Sequence, residues 1–349
     1  MTDANPNTDP PGAVAWLSPE QVELVRAISE ACGLNLIGAG SPEKGRSGGV
    51  ADALDTEPVD DLRSALASGE TDLVLIASPG AFGSGGTNDT NAIESARARG
   101  VKIACLEPTP ADALELGAGG WTRSTHGVRP IDALRVVPMM RSTRSWRDSA
   151  DAIENFGQVR TLRVEALCRP EQGSLGARLH SAMGLVQSLL GAPEMVHASL
   201  ASAGVSSARS PATDSLRDLH GDLCATLRFA DGRVASVVAS DRAPAWEHNA
   251  LLLGDEGRMR LDDDSMSWDH DNADEPDEHV VAWPEAFGRL SPCARAIADT
   301  IGRLIDSNSP PDQPVDHESV LAMSQSALLS ARTGQGESPE VIRRLAGGG

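Results

Sequence analysis

Residues Thr71–Cys105 read TDLVLIASPGAFGSGGTNDTNAIESARARGVKIAC, and this stretch decides the fold class. LVLIA is apolar throughout, which suits a strand buried on both faces rather than one with an alternating wet face. A glycine loop, GAFGSGGTND, follows, then TNAIESARARG as a helix and VKIAC as another strand. Strand, helix and strand in that order predict parallel neighbours with the helix packed on the sheet. The pattern repeats toward the N-terminus. GAVAWL (Gly12–Leu17) is a short buried strand. SPEQVELVRAISEACG (Ser18–Gly33) is a helix with Ser18 as N-cap, Pro19 at its first position and Gly33 as its stop. LNLIGAG (Leu34–Gly40) is the second strand, and PVDDLRSALASG (Pro58–Gly69) is a helix. Residues 1–12 read as a disordered tail, and residues 13–125 as a Rossmann-like, doubly wound parallel sheet.

The rest of the chain, residues 126–349, has a different rhythm. VRTLRVEALC, GDLCATLRFADGRVASVVASD, ALLLGDEGRMRLDDD and HVVAW read as strands, the second with an Asp231-Gly232 hairpin turn. Helices are expected at GARLHSAMGLVQSLLG, SPCARAIADTIGRLIDS and HESVLAMSQSALLSARTG. Consecutive hairpins with few helices predict an α/β domain built on an open, largely antiparallel sheet.

Composition narrows the partners. The 349 residues carry 50 acids against 30 bases, a formal charge of −20 that repels nucleic acid and anionic membrane surfaces. Lysine occurs only at Lys44 and Lys102. The five cysteines stand singly, without metal-ligand or disulfide spacing, and no metal is expected. MTDANPNTDPPG lacks the basic and apolar regions of a signal peptide, and no run of about 18 apolar residues occurs. The expectation is a cytoplasmic protein.

LNLIGAGSPEKGRSGG (Leu34–Gly49) invites a nucleotide reading, with Gly38-x-Gly40 and a near-Walker sequence ending at Arg46-Ser47. A dinucleotide fingerprint places its glycines in the turn after the first strand, where backbone meets pyrophosphate. Here that turn, Trp16–Gln21, has none, and the glycines come one strand later. The stretch reads as a flexible strand-to-helix connection. The end of a second Rossmann strand normally faces the adenosine ribose, and Ser41, Lys44 and Arg46 stand there without an acid at Ala39–Ser41. If any dinucleotide binds, NADP(H) is the expected one.

Several segments, in order, are similar to one known family. PVDDLRSALASGETDLVLIASP, AIESARARGVKIACLEP, GQVRTLRVEA, ATLRFADGRVASVVASDRAPAWEHNALLLGDEGRMRLDDD and SALLSARTGQ resemble successive motifs of the Gfo/Idh/MocA oxidoreductases over nearly the full length. The resemblance implies a Rossmann domain, an open-sheet domain that often pairs with another subunit, and NAD(P)-dependent hydride transfer on sugars or polyols. It also assigns cofactor contacts to Ser18, Ser78, Pro79 and Pro108, beside Ser41, Lys44 and Arg46. Three departures accompany it. The family's Glu-Lys-Pro is Leu106-Glu107-Pro108, and Lys102 is expected on the opposite strand face from Glu107. An ungapped count puts Ser181 and Gly184 where the family has its helix His and Asp, with His180 adjacent but about 100° away on the helix. The first-turn glycines are missing.

The leading expectation is therefore a family-fold protein without ordinary dehydrogenase activity, acting as a small-ligand binder or as a structural partner of an active paralogue or of itself. The alternative is an active oxidoreductase with a rearranged site that uses Glu107 and His180 for proton transfer. A third is a ligand-free assembly protein, which predicts a cleft plugged by side chains such as Trp16 and Trp121. Among the remaining features, Arg141, Arg144 and Arg147 are candidate anion ligands, the alternative being surface ion pairs. The acidic Asp262–His279 reads as a solvated hairpin extension rather than a calcium loop. His126, His197, His220 and His317 read as structural.

Overall fold

Val14, Ala15 and Trp16 are almost wholly enclosed, as an apolar run between two layers of helices requires. In the computed structural model they lie in β1 (Gly12–Trp16), near the middle of a six-stranded parallel sheet. Its other strands are β2 (Asn35–Gly40), β3 (Glu57–Val59), β4 (Leu73–Ile76), β5 (Lys102–Cys105) and β6 (Leu134–Val136), in spatial order β3-β2-β1-β4-β5-β6. The structure describes residues 10–67, 71–123, 127–201, 215–270, 276–309 and 315–347. The chain order reverses between β1 and β4, so the switch point lies at their carboxyl ends.

The second sheet has eight strands: β7 (Val159–Leu167), β8 (Met195–Ala201), β9 (Asp222–Arg228), β10 (Val234–Ser240), β11 (Glu247–Gly254), β12 (Gly257–Asp262), β13 (Ser265–Asp269) and β14 (Asp277–Val280). Their spatial order is β14-β13-β12-β11-β7-β10-β9-β8, antiparallel except for β7 beside β10. Alternation along β9 buries Leu223, Ala225 and Leu227 and exposes Asp222, Cys224, Thr226 and Arg228, so one face is covered and the other is not. The helices Leu175–Leu190 and His317–Thr333 cover the inner face. The helix Pro292–Ile305 returns to the first domain and packs beside the helix Val22–Cys32.

The α/β class holds, and the differences are local. Strands β3 and β6 are three residues each and carry too little pattern to read. Strand β13 lies in the acidic stretch expected to be a solvated extension, yet it buries Met266 and Trp268. Residues Gly38–Gly49 are not one flexible connection. Gly38 and Gly40 belong to β2, and a helix starts at Ser47 and contains Gly48 and Gly49. Burial of Val50 and Ala51 outweighs the helix cost of glycine there. The helix Thr87–Ala98 begins inside the expected glycine loop, because Asp89 accepts the Gly83 and Gly85 amides at 2.8 and 2.7 Å and turns the loop back on the helix. Residues 1–9 of the expected tail, and the boundary at 125–126 with His126, lie outside the described residues; Gly12 is in β1, and β6 still belongs to the first sheet.

Candidate functional site

The switch point is where an open α/β sheet receives a ligand, and here the chain covers it. At the end of β1 the Trp16 indole lies against Gly40. A Cβ on Gly40 would fall 2.5 Å from the indole Cζ3 and 2.2 Å from the Val59 carbonyl oxygen. Only glycine lets the indole cross the end of β2. In the following turn the Ser18 amide donates to Gln21 Oε1 at 3.1 Å, and Gln21 Nε2 donates to the Ala77 carbonyl at 3.3 Å. The Gln21 side chain thus ties the turn after β1 to the end of β4. Gly80, with φ +58°, meets Pro42: a Cβ on it would sit 2.4 Å from Pro42 Cβ. The loops after β2 and β4 therefore touch across the end of β1.

The loop after β4 is held from two sides. Asp89, fully buried, takes the two glycine amides and the Arg63 guanidinium, with Nε at 2.7 Å. Arg217, from the second domain, donates to the Gly80 carbonyl at 2.6 Å and to the Phe82 carbonyl. Ser41, Lys44 and Pro79 line a pocket of about 360 Å³ beside Trp16, together with Asp60, Asp61 and Phe82. Ser18, Arg46, Ser78 and Pro108 do not border it. Ser41 is buried and bound within its own turn, its hydroxyl accepting the Glu43 amide at 3.2 Å, while Lys44 and Arg46 are exposed.

Glu107 follows β5 and reaches the start of the helix Leu175–Leu190. Oε1 accepts the Ser174 amide at 2.8 Å and Oε2 the Ser174 hydroxyl, while that hydroxyl accepts the Ala177 amide at 3.0 Å. A carboxylate at a helix N-terminus also meets the positive end of the helix dipole. Burial pushes the Glu107 carboxyl above its ordinary value, against the pull of the Ser174 hydrogen bonds and the Arg178 and Arg217 charges. Arg178, 1% exposed, lies over the Trp246 ring at 4.2 Å and reaches His248 Nε2 at 3.2 Å. Asp263 completes that cluster, accepting the Trp246 indole N–H at 2.8 Å and pairing with His248 Nδ1 at 3.2 Å.

His180 does not join Glu107. Its ring is 2% exposed, neither nitrogen has a partner, and it stacks on His317 with ring centres 5.9 Å apart and planes 6° from parallel. Burial first, then the His317 charge, lowers it to about 3, so the ring is neutral. The neighbouring helix face is covered as well. Ser181 Oγ accepts the Met140 amide at 2.9 Å, and Met139 Cε lies 2.4 Å from where a Cβ on Gly184 would stand.

Comparison with known proteins now has a geometry to refer to. No protein-family profile matches the chain, and no curated protein matches it by sequence. Solved structures do. A levoglucosan dehydrogenase in complex with NADH and levoglucosan superposes with a TM-score of 0.67 at 14% identity, covering 95% of this chain and 99% of that one. An oxidoreductase from Agrobacterium radiobacter in complex with NAD+, L-tartaric acid and magnesium gives 0.66 at 15%, over 96% and 100%. A UDP-N-acetylglucosamine 3-dehydrogenase from Acidithiobacillus ferrooxidans gives 0.61 at 18%, over 96% and 100%. The chain has the Gfo/Idh/MocA fold.

NADH and NAD+ are bound in two of these structures, and in this chain the turn after β1, Trp16–Gln21, contains no glycine. The Pro42–Gly80 contact and the Trp16 indole lie at the end of β1. The Ser18 amide is already bound to Gln21. Trp121 is fully buried and belongs to the core rather than to a cleft wall. Lys102 opens β5, at the opposite end from Glu107. Two of the three arginines of Arg141–Asp148 are ion-paired: Arg147 binds the buried Asp299 at 2.9 Å, and Arg144 lies 3.7 Å from Asp148 and over the Trp283 ring. Arg178, Arg217 and Asp89 are the residues sequence reasoning missed. One of them left a trace: Arg178 interrupts an otherwise apolar helix face, and a buried arginine needs partners.

Proposed function

We propose that this protein keeps the Gfo/Idh/MocA architecture without its hydride-transfer chemistry, and acts as a small-ligand binder or as a structural partner of a second copy or an active paralogue. One observation carries the reading. At the position where the family resemblance puts the substrate-polarising lysine, both oxygens of Glu107 are bound to Ser174, so the group joins the two domains instead of facing a substrate. The partner surface we favour is the uncovered outer face of the second sheet, which carries Arg163, Glu165, Asn249, Arg260 and Ser267. Light scattering on the purified chain tests self-association through this face, since a monomer at all concentrations removes the second copy as the partner.

The test of the first half is thermal unfolding with NAD, NADH, NADP and NADPH at about a millimolar. A ligand at a hundredfold over its dissociation constant stabilises the native state by about 2.7 kcal/mol. The expected result is no shift with any of them. A shift with NADP(H), together with turnover of a sugar or polyol that disappears in Glu107→Ala, would overturn the reading. It would support instead an NADP-dependent oxidoreductase whose adenosine end sits in the pocket of Ser41 and Lys44, the one feature that favours that alternative. The NAD and NADH bound in the similar structures keep it in view.

A further inference from the structure

A second pocket, of about 260 Å³, lies beside the edge strand β6, under the last turn of the helix Pro292–Ile305 and the first turn of the helix His317–Thr333. Lys102, Arg135, Ser142, Thr300, Arg303 and His317 are among its walls. Among the described residues that line it, three are bases and one, Asp306, is an acid, in a chain where acids outnumber bases 50 to 30. The carboxylate of Asp306 is turned to its own loop, accepting the Asn308 amide and the Ser309 hydroxyl at 2.9 Å each. Arg303 is engaged with the Ser142 carbonyl at 3.1 Å and with Asp299 at 3.7 Å.

Lys102, Arg135 and His317 differ from Glu107, Asp89 and Arg217 at the switch point. None of the three side chains makes a hydrogen bond or ion pair with a described residue. His317 is 8% exposed, and its ring stacks on that of His180. The ring lines the pocket, and polar groups in that position are ordinarily satisfied by protein, water or ligand. The volume falls below the roughly 300–1,000 Å³ of sites for drug-sized ligands, so the occupant is small.

We propose that this pocket binds a small oxyanion of the phosphate class, free or as a phosphomonoester, held by Lys102, Arg135 and the His317 ring. Lysine supplies a point charge, arginine a planar fork and the neutral imidazole one N–H, a donor set matched to an oxyanion with several acceptor oxygens. The site is separate from the switch point, so it stands whether or not a dinucleotide binds there.

The presence of only two lysines gives a direct experiment on the whole chain. Inorganic phosphate is titrated against chloride at equal ionic strength, and two quantities are read: the melting temperature, and the rate at which an acetylating reagent labels Lys102 and Lys44, by peptide mass spectrometry. Phosphate is expected to raise the melting temperature and to slow labelling of Lys102 but not of Lys44. In Lys102→Ala and Arg135→Ala the phosphate affinity is expected to fall at least tenfold, with Lys44→Ala unchanged. Both substituted side chains lack hydrogen bonds to described residues, so the variants test binding rather than folding, and the labelling assay needs no variant at all. A response to phosphate equal to that to chloride, or equal labelling of Lys102 with and without phosphate, overturns the proposal. Loss in Lys44→Ala alone would move the anion to the pocket beside Trp16 and also overturn it.

Discussion

The carboxyl ends of the first sheet and the pocket beside β6 are built from similar residue types and reach opposite conditions. At the switch point, Glu107 is bound to Ser174, Asp89 to Arg63 and two loop amides, and Arg217 to two carbonyls. Beside β6, Lys102, Arg135 and His317 have no such partners among the described residues. The difference teaches where a ligand has something to gain. A polar group already satisfied by the protein must give up a bond to bind a ligand, whereas an unsatisfied one does not. Position in the fold points to the first region, and hydrogen-bond accounting points to the second.

Acid breaks this comparison most strongly, through the two stacked histidines. Burial lowers His180 to about 3 and His317 to about 4. Below their ordinary 6.5 the unfolded chain therefore takes up protons that the fold refuses, and stability falls as the pH drops from about 6.5 toward 4. Two protons set a limit of about 2.7 kcal/mol per pH unit at the steepest point. Urea midpoints from pH 7 to 4 measure it, and His180→Phe should flatten the slope. Glu107 has the opposite sign. Its folded value is raised above 4.5, so its contribution is present below about 4.5 and is lost as the pH rises through the folded value.

Trp16→Ala comes next. Removing the indole that crosses Gly40 should cost about 3–5 kcal/mol in denaturant unfolding; a cost below 1 kcal/mol would mean that the end of β1 is not packed as described. Glu107→Ala leaves the Ser174 amide and hydroxyl without their acceptor, for about 1.5–3 kcal/mol. If Glu107→Gln restores most of that, the role is a hydrogen-bonded link between domains rather than a charge. Arg217→Ala should cost about 1 kcal/mol and raise amide hydrogen exchange in the loop after β4 before it changes global stability. The smallest effect is expected for Arg144→Ala, within about 0.5 kcal/mol, because its pairing with Asp148 is half-exposed.

Much of the fold was legible because it rests on local patterns. LVLI is apolar at every position and became a strand enclosed on both faces; β9 alternates and became a strand with one wet face. The Asp231-Gly232 turn closed the hairpin it promised, with Gly232 at φ +86°. The missing glycines at Trp16–Gln21 were legible too, and their place is taken by the Trp16 and Gln21 side chains. The site was legible only in part. Glu107 could be named, but its partner is 67 residues away in sequence. His180 was a candidate for proton transfer until helix packing turned it onto His317.

The sequence by itself determined the alternation of strands and helices in the first domain, the hairpins of the second, and the absence of a lysine beside Pro108. Those follow from hydrophobic period, turn residues and residue identity, which act over a few positions. Only the tertiary structure decided that Trp16 and the Pro42–Gly80 contact cover the switch point, that Glu107 caps a helix, and that Lys102, Arg135 and His317 share a pocket. Each of these joins residues distant along the chain, and which polar groups find partners across such distances depends on how whole elements pack.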